Sequence, residues 1–407
     1  MPRLLLVSYF FPPIGGVGAQ RALRFARYLP EHGWDVTVLA PATSNYALVD
    51  EFPTARDGGY EVARTRSIDV PRRYSRLGQR IYPVVMFPDD RRLWALHASR
   101  VAGQLARTCD VVMSSALPMT SHIVGRAATR AGRLPWVVDF QDPYVTNPHL
   151  ANAPRARSRE RLERRVLSEA SAITVVTDDM ERDFAARTES PVTVIENGFD
   201  PDEFAAASTV SLPGQRTLVY LGSLYGSQSL VPVVEAMRLA CERAPHIRET
   251  LMVHFVGSVA DWQKAHALQS DVADMVSFTS YVPRQEALGI MLGADALLLL
   301  LSEDLAHAAT GKVFDYLGSG RPILALVPPS PAGRIAAAAG GTVTHTIEDF
   351  ADALIRLAGD GLPSAAPAES EAVARYAADR LTSRFVDVLD EVLGRSRAPV
   401  APLRRER

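Results

Sequence analysis

Short apolar segments rich in β-branched residues alternate along this chain with longer segments in which apolar residues recur every three or four positions. The short segments predict buried strands, and the long ones predict amphipathic helices. In the first half, the predicted strands cover residues 3–8, 35–39, 60–64, 110–114, 136–139, 172–176 and 192–195. The predicted helices between them cover residues 17–29, 91–108, 119–131, 155–169 and 178–186.

The same alternation restarts after a segment rich in Ala, Ser, Pro and Gly that ends near residue 215. The predicted strands of the second half cover residues 217–221, 252–256, 276–279, 296–301, 322–327 and 342–344. The predicted helices cover residues 230–242, 262–268, 284–292, 311–317, 332–338 and 348–357. Strands that are buried on both faces and joined by helical connections form a parallel, doubly wound sheet. We therefore predict an α/β protein with two doubly wound, Rossmann-like domains.

The domain boundaries follow from this pattern. Residues 1–200 form the first predicted domain and residues 215–370 the second. Residues 371–395 are predicted to be a C-terminal helix, because apolar residues lie along one stripe of it. We expect this helix to pack back towards the N-terminal domain. Two such domains would face each other across a cleft, and ligands of doubly wound sheets bind at the carboxyl ends of the strands.

The composition excludes several classes of protein. The 407 residues are 47% hydrophobic and 22% charged, as in an ordinary soluble protein with a large core. A net charge of −2 gives no whole-molecule attraction to nucleic acid. The longest aliphatic run, residues 296–301, is far shorter than the roughly 18 residues of a membrane-spanning helix. We expect neither nucleic acid as a partner nor a transmembrane segment.

Cysteine use and the N-terminal residues indicate a cytoplasmic protein. The apolar run at residues 4–7 is too short for the hydrophobic region of a signal peptide. Cys109 and Cys241 show no CxxC spacing, which fits a reducing compartment and excludes a thiolate metal site. Arginines within residues 72–80 precede apolar residues 81–87, a pattern that suits peripheral contact with the inner face of a membrane. A solvated loop explains the same pattern, and we favour that explanation.

A glycine-containing turn follows the first predicted strand. Gly15 and Gly16 directly precede a predicted helix, so backbone could come close to an anion that also faces the N–H groups of the helix start. The turn does not match GxGxxG, and no acidic residue ends the next strand, which disfavours NAD. An ordinary tight turn between strand and helix remains the alternative.

A second helix start, in residues 310–324, carries more information. Thr310 and Gly311 are predicted to cap this helix, so its first N–H groups would point at the cleft. Lys312 and Asp315 share its polar side. A cation at a helix start opposes the helix dipole, so Lys312 suits a bound diphosphate better than it suits helix stability. A surface ion pair with Asp315, worth about 0.3 kcal/mol, is the alternative.

Four segments in this order resemble the family-4 retaining glycosyltransferases with the GT-B fold. They are FPPIGGVGAQR at residues 11–21, VVDFQDPY at 137–144, VIENGFDPDEF at 194–204 and TGKVFDYLGSGRPIL at 310–324. The resemblance covers nearly the whole chain and is greatest to bacterial members with PPIGG-like and DFRDPW-like segments. It implies a GT-B fold, with an N-terminal acceptor-binding domain and a C-terminal domain that binds a nucleotide sugar.

The resemblance implies a set of donor-binding residues. Backbone N–H groups around Gly15 and Gly16 would lie near the donor diphosphate, and Lys312 would be its principal cation. Asp315 occupies the place of a glutamate that accepts hydrogen bonds from ribose hydroxyls, and it is one methylene shorter. His307 stands where the family has another glutamate, which contacts the transferred sugar. Glu303 and Asp304 are the neighbouring residues that could supply this carboxylate instead.

The loop after the strand at residues 217–221 is the second departure from the family. Many members carry an Arg and a Lys there that neutralise the phosphates, whereas residues 221–228 contain neither. Ser223 and Gln228 are the candidate neutral donors, and the N–H groups at Thr310 and Gly311 would contribute more. By the same resemblance the nucleobase would contact backbone around Val282. UDP- or GDP-linked sugars are the expected donors.

Three residues of the first domain are the acceptor-side candidates. Asp139 and Asp142 follow a predicted strand, at the edge where functional residues are expected. Asp142 precedes a proline and could instead cap a turn. His122 lies near a helix start in a region that reaches the reacting sugar in the family, although simple packing would also explain it. Lys312, His122, His307 and Asp142 are the candidate catalytic residues.

These observations predict a retaining glycosyltransferase that needs neither metal nor cofactor. The DxD pattern at residues 200–202 binds metal in another glycosyltransferase fold, but here it lies in the linker, so we interpret it as a turn. The acceptor would be a glycan, a lipid-linked molecule or a small natural product. Two alternatives stay open: a sugar-nucleotide epimerase of the same fold, and a non-catalytic homologue that binds nucleotide sugars.

Overall fold

The computed structural model describes residues 1–15, 17–43, 59–67, 86–146, 155–224, 226–307 and 309–395. These residues divide into two compact units. The first unit contains the described residues up to Glu196 and those from Asp379 onward, and the second contains Asn197–Ala378. Each unit has its own parallel sheet.

Seven parallel strands form the sheet of the first unit, in the order β3-β2-β1-β4-β5-β6-β7. The strands are β1 (Arg3–Ser8), β2 (Asp35–Pro41), β3 (Tyr60–Thr65), β4 (Val111–Ala116), β5 (Trp136–Phe140), β6 (Ala172–Val175) and β7 (Val192–Val194). The helices are α1 (Gln20–Tyr28), α2 (Trp94–Leu105), α3 (Thr120–Gly132), α4 (Ala156–Glu169) and α5 (Asp178–Ala185). Short 3-10 helices cover Val17–Ala19, Leu29–His32 and Ala106–Thr108.

Six parallel strands form the sheet of the second unit, in the order β10-β9-β8-β11-β12-β13. The strands are β8 (Arg216–Leu221), β9 (Leu251–Val256), β10 (Val276–Thr279), β11 (Ala296–Leu300), β12 (Ile323–Leu326) and β13 (Thr342–Thr344). The helices are α6 (Pro201–Ala206), α7 (Val231–Arg243), α8 (Ile247–Thr250), α9 (Asp261–Leu268), α10 (Arg284–Gly293), α11 (Gly311–Ser319), α12 (Pro331–Ala338), α13 (Ile347–Ala358) and α14 (Glu371–Ala374). Short 3-10 helices cover Ala273–Met275 and Glu303–Leu305.

The strand order of each sheet identifies where a ligand would bind. In the first sheet the chain runs outward from β1 in one direction and restarts beside it at β4. In the second sheet β8 and β11 have the same relation. Such a switch point leaves a crevice outside the carboxyl ends of its two strands. The loops after β1, β4, β8 and β11 are therefore the segments to examine for function.

The C-terminal segment differs from its predicted form. The sequence pattern predicts one continuous helix over residues 371–395, whereas the structure has α14 followed by a separate α15 (Ala378–Val392). The break occurs because the chain pairs with residue Phe199: its N–H donates to the Tyr376 carbonyl, and the Ala378 N–H donates to the Phe199 carbonyl. Those bonds replace the helical ones at this point.

Helix α15 packs within the first unit. The rings of Phe385 and Phe25 stack with their centroids 4.5 Å apart, and both side chains are buried. Arg384 donates to the Glu196 carboxylate and to the Val194 carbonyl, each at 2.6 Å. Among the residues that the structure describes, every helix is too short or too polar to cross a membrane.

Candidate functional site

Lys312 lies in the first turn of α11, at the switch point of the second sheet. Its Nζ stands 5.3 Å from the centre of the Tyr220 ring, at the end of β8. The backbone at Gly222, just after β8, lies close to the same side chain: a Cβ added to Gly222 would lie 2.4 Å from Lys312 Cε. Tyr220 and Gly222 are therefore neighbours of this lysine. Neither of them was identified as a site residue from the sequence.

The Lys312 side chain is half-buried at this position. No carboxylate of the described residues lies within ion-pair distance of its Nζ. Burial lowers the pKa of this ammonium to about 8, and the Asp315 carboxylate opposes that decrease. A largely buried cation is costly unless an opposite charge compensates it. The arrangement would gain stability from an anion bound beside Lys312.

Two glycines allow the backbone to come close to Lys312. Gly222 and Gly257 have φ values of +127° and +130°, which favour glycine, and they bring the ends of β8 and β9 together. A Cβ added to Gly257 would lie 2.4 Å from the Gly222 carbonyl oxygen. The first turn of α11 contains no acidic residue, so the positive end of its dipole is not neutralised from within the helix.

Thr310 is at the N-cap position of α11, as predicted, but the predicted side-chain cap is wrong. Its hydroxyl accepts no bond from the first turn, and its Oγ1 is buried with no hydrogen-bond partner in the described part of the chain. Thr310 has the extended backbone that is usual at an N-cap, yet no side chain caps this helix end. The sequence pattern identified the cap position and not the bond.

Polar residues of the β8–α7 loop are tied to neighbouring groups. The Tyr220 hydroxyl lies 3.0 Å from Gln228 Oε1 and 3.2 Å from the Ser223 carbonyl oxygen. Ser227 donates to the Asp304 carboxylate at 2.5 Å and 2.7 Å, which joins this loop to the segment after β11. His307, which follows in that segment, is exposed. Of the two carboxylates considered as substitutes for the family's glutamate, Asp304 is bonded to Ser227.

Asp315 belongs to a buried charge cluster that the sequence analysis missed. Arg284, the first residue of α10, donates from its two terminal nitrogens to the two carboxylate oxygens of Asp315, at 2.7 Å and 2.8 Å. The same guanidinium donates to Glu203 of α6 at 2.9 Å and 3.2 Å. Val282 lies two residues before Arg284 and is partly buried. Sequence spacing carries no signal for this cluster, because its members lie on three separate helices.

In the first unit, Asp139 occupies the interior of the sheet. Its side chain has no exposed surface, and the Arg21 guanidinium donates to it at 2.8 Å and 3.1 Å. The Ser115 and Thr174 hydroxyls donate to the same carboxylate at 2.7 Å and 2.8 Å. Asp139 thus joins β4, β5 and β6 to α1. Its predicted contact with an acceptor stays a prediction, and Asp142 is the exposed carboxylate of this segment.

His122 is fully buried in α3, beside the switch point of the first sheet. Its Nδ1 lies 2.8 Å from the Ser114 hydroxyl, which accepts a hydrogen bond from the Trp136 indole. Its Nε2 has no hydrogen-bond partner among the described residues. Burial lowers the pKa of this imidazole to about 3, and Asp139 opposes that decrease. His122 is consequently neutral at pH 7.

Two of the predictions fall outside the described residues. Gly15 is described and half-buried, whereas Gly16 is not among the described residues. The arginine-rich segment 72–80 and the apolar residues 81–85 after it are also outside them. The described residues contain no group of three His, Cys, Asp or Glu side chains that could hold a metal ion.

Comparison with known families gives a match over the first unit. Residues 15–198 match the family model described as the glycosyl transferase 4-like domain. This part of the chain is similar to glycosyltransferase domains, and the prediction of a glycosyltransferase is confirmed at that level. No curated protein sequence matches the chain.

Solved structures match over nearly the whole chain. Sucrose-phosphate synthase from Thermosynechococcus elongatus has a TM-score of 0.66 at 13% identity and covers 97% of this chain and 100% of its own. Anabaena HepE, in complex with UDP and glucose, has a TM-score of 0.65 at 16% identity, with 96% and 100% covered. A glycosyltransferase from Rickettsia africae has a TM-score of 0.63 at 12% identity, with 97% and 99% covered. At these identities the likeness establishes the fold, which confirms the predicted α/β class of GT-B type.

Proposed function

We propose that this protein transfers a sugar from a nucleotide diphosphate sugar to an acceptor, with retention at the anomeric carbon and without a metal ion. The observation that carries the proposal is Lys312, a half-buried ammonium that has no ion-pair partner among the described residues, at the start of a helix and at the switch point of its sheet. A diphosphate supplies the missing negative charge. UDP- or GDP-linked sugars are the donors we expect, and the HepE structures hold UDP with glucose or UDP-glucose.

The remaining donor contacts that we propose are those that the family resemblance implies. Asp315 would accept from the ribose hydroxyls, and backbone near Val282 would meet the nucleobase. Ser223, Gln228 and the N–H groups at Thr310 and Gly311 would surround the diphosphate. These groups lie after β8, near the start of α10 or near the start of α11. The end of β8 and the starts of both helices are at the carboxyl edge of the second sheet.

The mechanism that we propose is front-face substitution. The acceptor hydroxyl attacks the anomeric carbon from the side that the diphosphate leaves, and a phosphate oxygen takes up the hydroxyl proton. Lys312 stabilises the charge on the leaving diphosphate, which is an electrostatic and positional contribution. Glycines 15 and 16 would add backbone N–H groups from the first domain.

We assign acceptor binding to residues 1–200 and donor binding to residues 215–370. Asp142, which is exposed, is the carboxylate best placed to meet an acceptor directly. His122 and Asp139 are buried, so we propose that they shape the acceptor side from within. His307 is exposed after β11 and would contact the transferred sugar. The acceptor is a glycan, a lipid-linked molecule or a small natural product, and the expected location is the cytoplasm, with or without contact at the inner membrane face.

Thermal shift tests the proposal directly. UDP, GDP, ADP and dTDP are each added with and without EDTA, because a ligand that binds only the folded state raises its melting temperature. We expect one nucleotide to stabilise the protein, unaffected by EDTA. Lys312→Met should abolish the shift, whereas Lys264→Met, which removes the chain's other lysine, should keep it. A shift that needs a metal ion, or that persists in Lys312→Met, would contradict the assignment.

Turnover distinguishes the alternatives. Transfer of the sugar from the sugar-linked form of the stabilising nucleotide to an acceptor, with release of the nucleoside diphosphate, would exclude a non-catalytic binding protein. Conversion of the nucleotide sugar to an epimer without any acceptor would support an epimerase instead. Lys312→Ala should lower transferase turnover by a large factor, since hydrogen bonds between charged groups contribute roughly 1.5 to 3 kcal/mol each.

A further inference from the structure

The cluster of Glu203, Arg284 and Asp315 has the geometry of a positioning device. Arg284 meets Asp315 through two parallel hydrogen bonds of 2.7 Å and 2.8 Å, the fork that fixes a carboxylate in both distance and plane. Glu203 accepts from the other edge of the guanidinium at 2.9 Å and 3.2 Å. All three side chains are nearly buried, with 10% or less of their surface exposed. Little freedom of movement remains in such a cluster.

The position of Arg284 is unfavourable for the stability of helix α10. It is the first residue of α10, and a cation at that end opposes the helix dipole. Burial alone would lower the pKa of Arg284, but the Asp315 and Glu203 carboxylates raise it above its usual value. The arginine is thus held by charges outside α10, and it links the starts of α10 and α11 to α6.

The Asp315 carboxylate also acts on the neighbouring Lys312 ammonium, because it opposes the decrease in the pKa of that lysine. A carboxylate has roughly four lone-pair directions, and the fork from Arg284 uses two of those of Asp315. The Asp315 side chain is one methylene shorter than the glutamate of the family, so its carboxylate needs a fixed position to reach ribose hydroxyls. The hydrogen bonds from Arg284 fix that position.

We propose that Arg284, braced by Glu203, is the positioning residue that presents the Asp315 carboxylate to the ribose hydroxyls of the donor nucleotide. This inference rests on the proposed function, because it assumes a nucleotide beside Asp315 and Lys312. Its consequence is specific: Arg284 determines how strongly the protein distinguishes a ribonucleotide from a 2′-deoxyribonucleotide. A residue with a purely structural role would affect stability and leave that distinction unchanged.

The experiment measures the ratio of two dissociation constants. The full chain is titrated by calorimetry with UDP and with 2′-deoxy-UDP, or with the GDP pair if GDP gives the thermal shift. Arg284→Lys keeps the positive charge but cannot form the fork. Arg243→Lys, in the exposed ion pair with Asp352 of the same unit, is the matched control. Asp315→Asn removes the negative charge of the side chain that would accept hydrogen bonds from the ribose.

We expect the wild-type protein and Arg243→Lys to bind the ribonucleotide about 10-fold or more tightly than its deoxy form, the effect of about one hydrogen bond to a charged group. In Arg284→Lys and Asp315→Asn the ratio should fall to about 1 to 3. A melting temperature lowered in Arg284→Lys with an unchanged ratio would overturn the inference. A wild-type protein that binds both nucleotides equally would overturn the inference alone. A wild-type protein that binds no nucleotide would overturn the proposed function as well.

Discussion

Lys312 should give the protein two opposite responses to alkaline pH. Burial holds the pKa of its ammonium at about 8, whereas an unfolded lysine titrates near 10.5. Between these values the unfolded chain binds more protons than the folded one, so the free energy of unfolding rises with pH across this window. The separation of the two values corresponds to about 3 kcal/mol, at about 1.4 kcal/mol per pH unit.

Nucleotide binding should change in the other direction. A diphosphate needs the protonated ammonium, so affinity should fall as pH rises through about 8, by up to about tenfold per pH unit. The pH at which the loss levels off reports the higher pKa that Lys312 would have with the nucleotide bound.

Two titrations between pH 7 and 10.5 test this pair of expectations. Urea unfolding gives the stability, and calorimetry with the stabilising nucleotide gives the affinity. Lys312→Met is the reference for stability, because every other group that titrates in this range contributes equally to both proteins. Parallel stability curves for the two proteins, or a wild-type affinity that does not change across this pH range, would refute the half-buried ammonium on which the site rests.

Two further substitutions, the second with a control variant, test the packing around the sites. Gly222→Ala should weaken nucleotide binding at least tenfold and lower stability by about 1 to 3 kcal/mol, because the new Cβ would lie 2.4 Å from Lys312 Cε at a φ of +127°. Calorimetry measures the binding, and urea unfolding measures the stability. Full retention of binding would show that the position of Lys312 beside Gly222 is not needed for binding. Asp139→Asn should destabilise the first unit by about 3 to 5 kcal/mol, because it leaves the buried Arg21 guanidinium without its carboxylate. The exposed Asp142→Asn should change stability by less than about 0.5 kcal/mol, and equal losses in both variants would count against the buried ion pair.

The alternation of strands and helices could be predicted because it depends on local chemistry. Apolar β-branched runs become buried parallel strands, and stripes at helical spacing become the helices that cover them. The two sheets of seven and six strands follow that pattern closely. Lys312 could be found in the same way, since a cation at a predicted helix start is unfavourable for the helix itself.

Other features depend on contacts between remote parts of the chain. The break between α14 and α15 arises from backbone bonds to Phe199, about 180 residues earlier, which helical periodicity cannot report. The predicted side-chain cap at Thr310 is wrong for a related reason. Threonine favours the N-cap position, but in the described part of the structure the Thr310 hydroxyl has no hydrogen-bond partner. Local preference specifies a position, and tertiary packing decides which bond is made there.

The fold class, the two sheets and the position of Lys312 could be predicted from the amino-acid pattern, because periodicity and helix-end chemistry act over a few residues. The surroundings of that lysine and the partners of the carboxylates depend on tertiary packing. Arg284 lies 31 residues from Asp315 and 81 from Glu203, and Arg21 lies 118 residues from Asp139. Charges so far apart in the chain meet only when helices and strands pack, since burial then makes an unpaired charge too costly to leave alone.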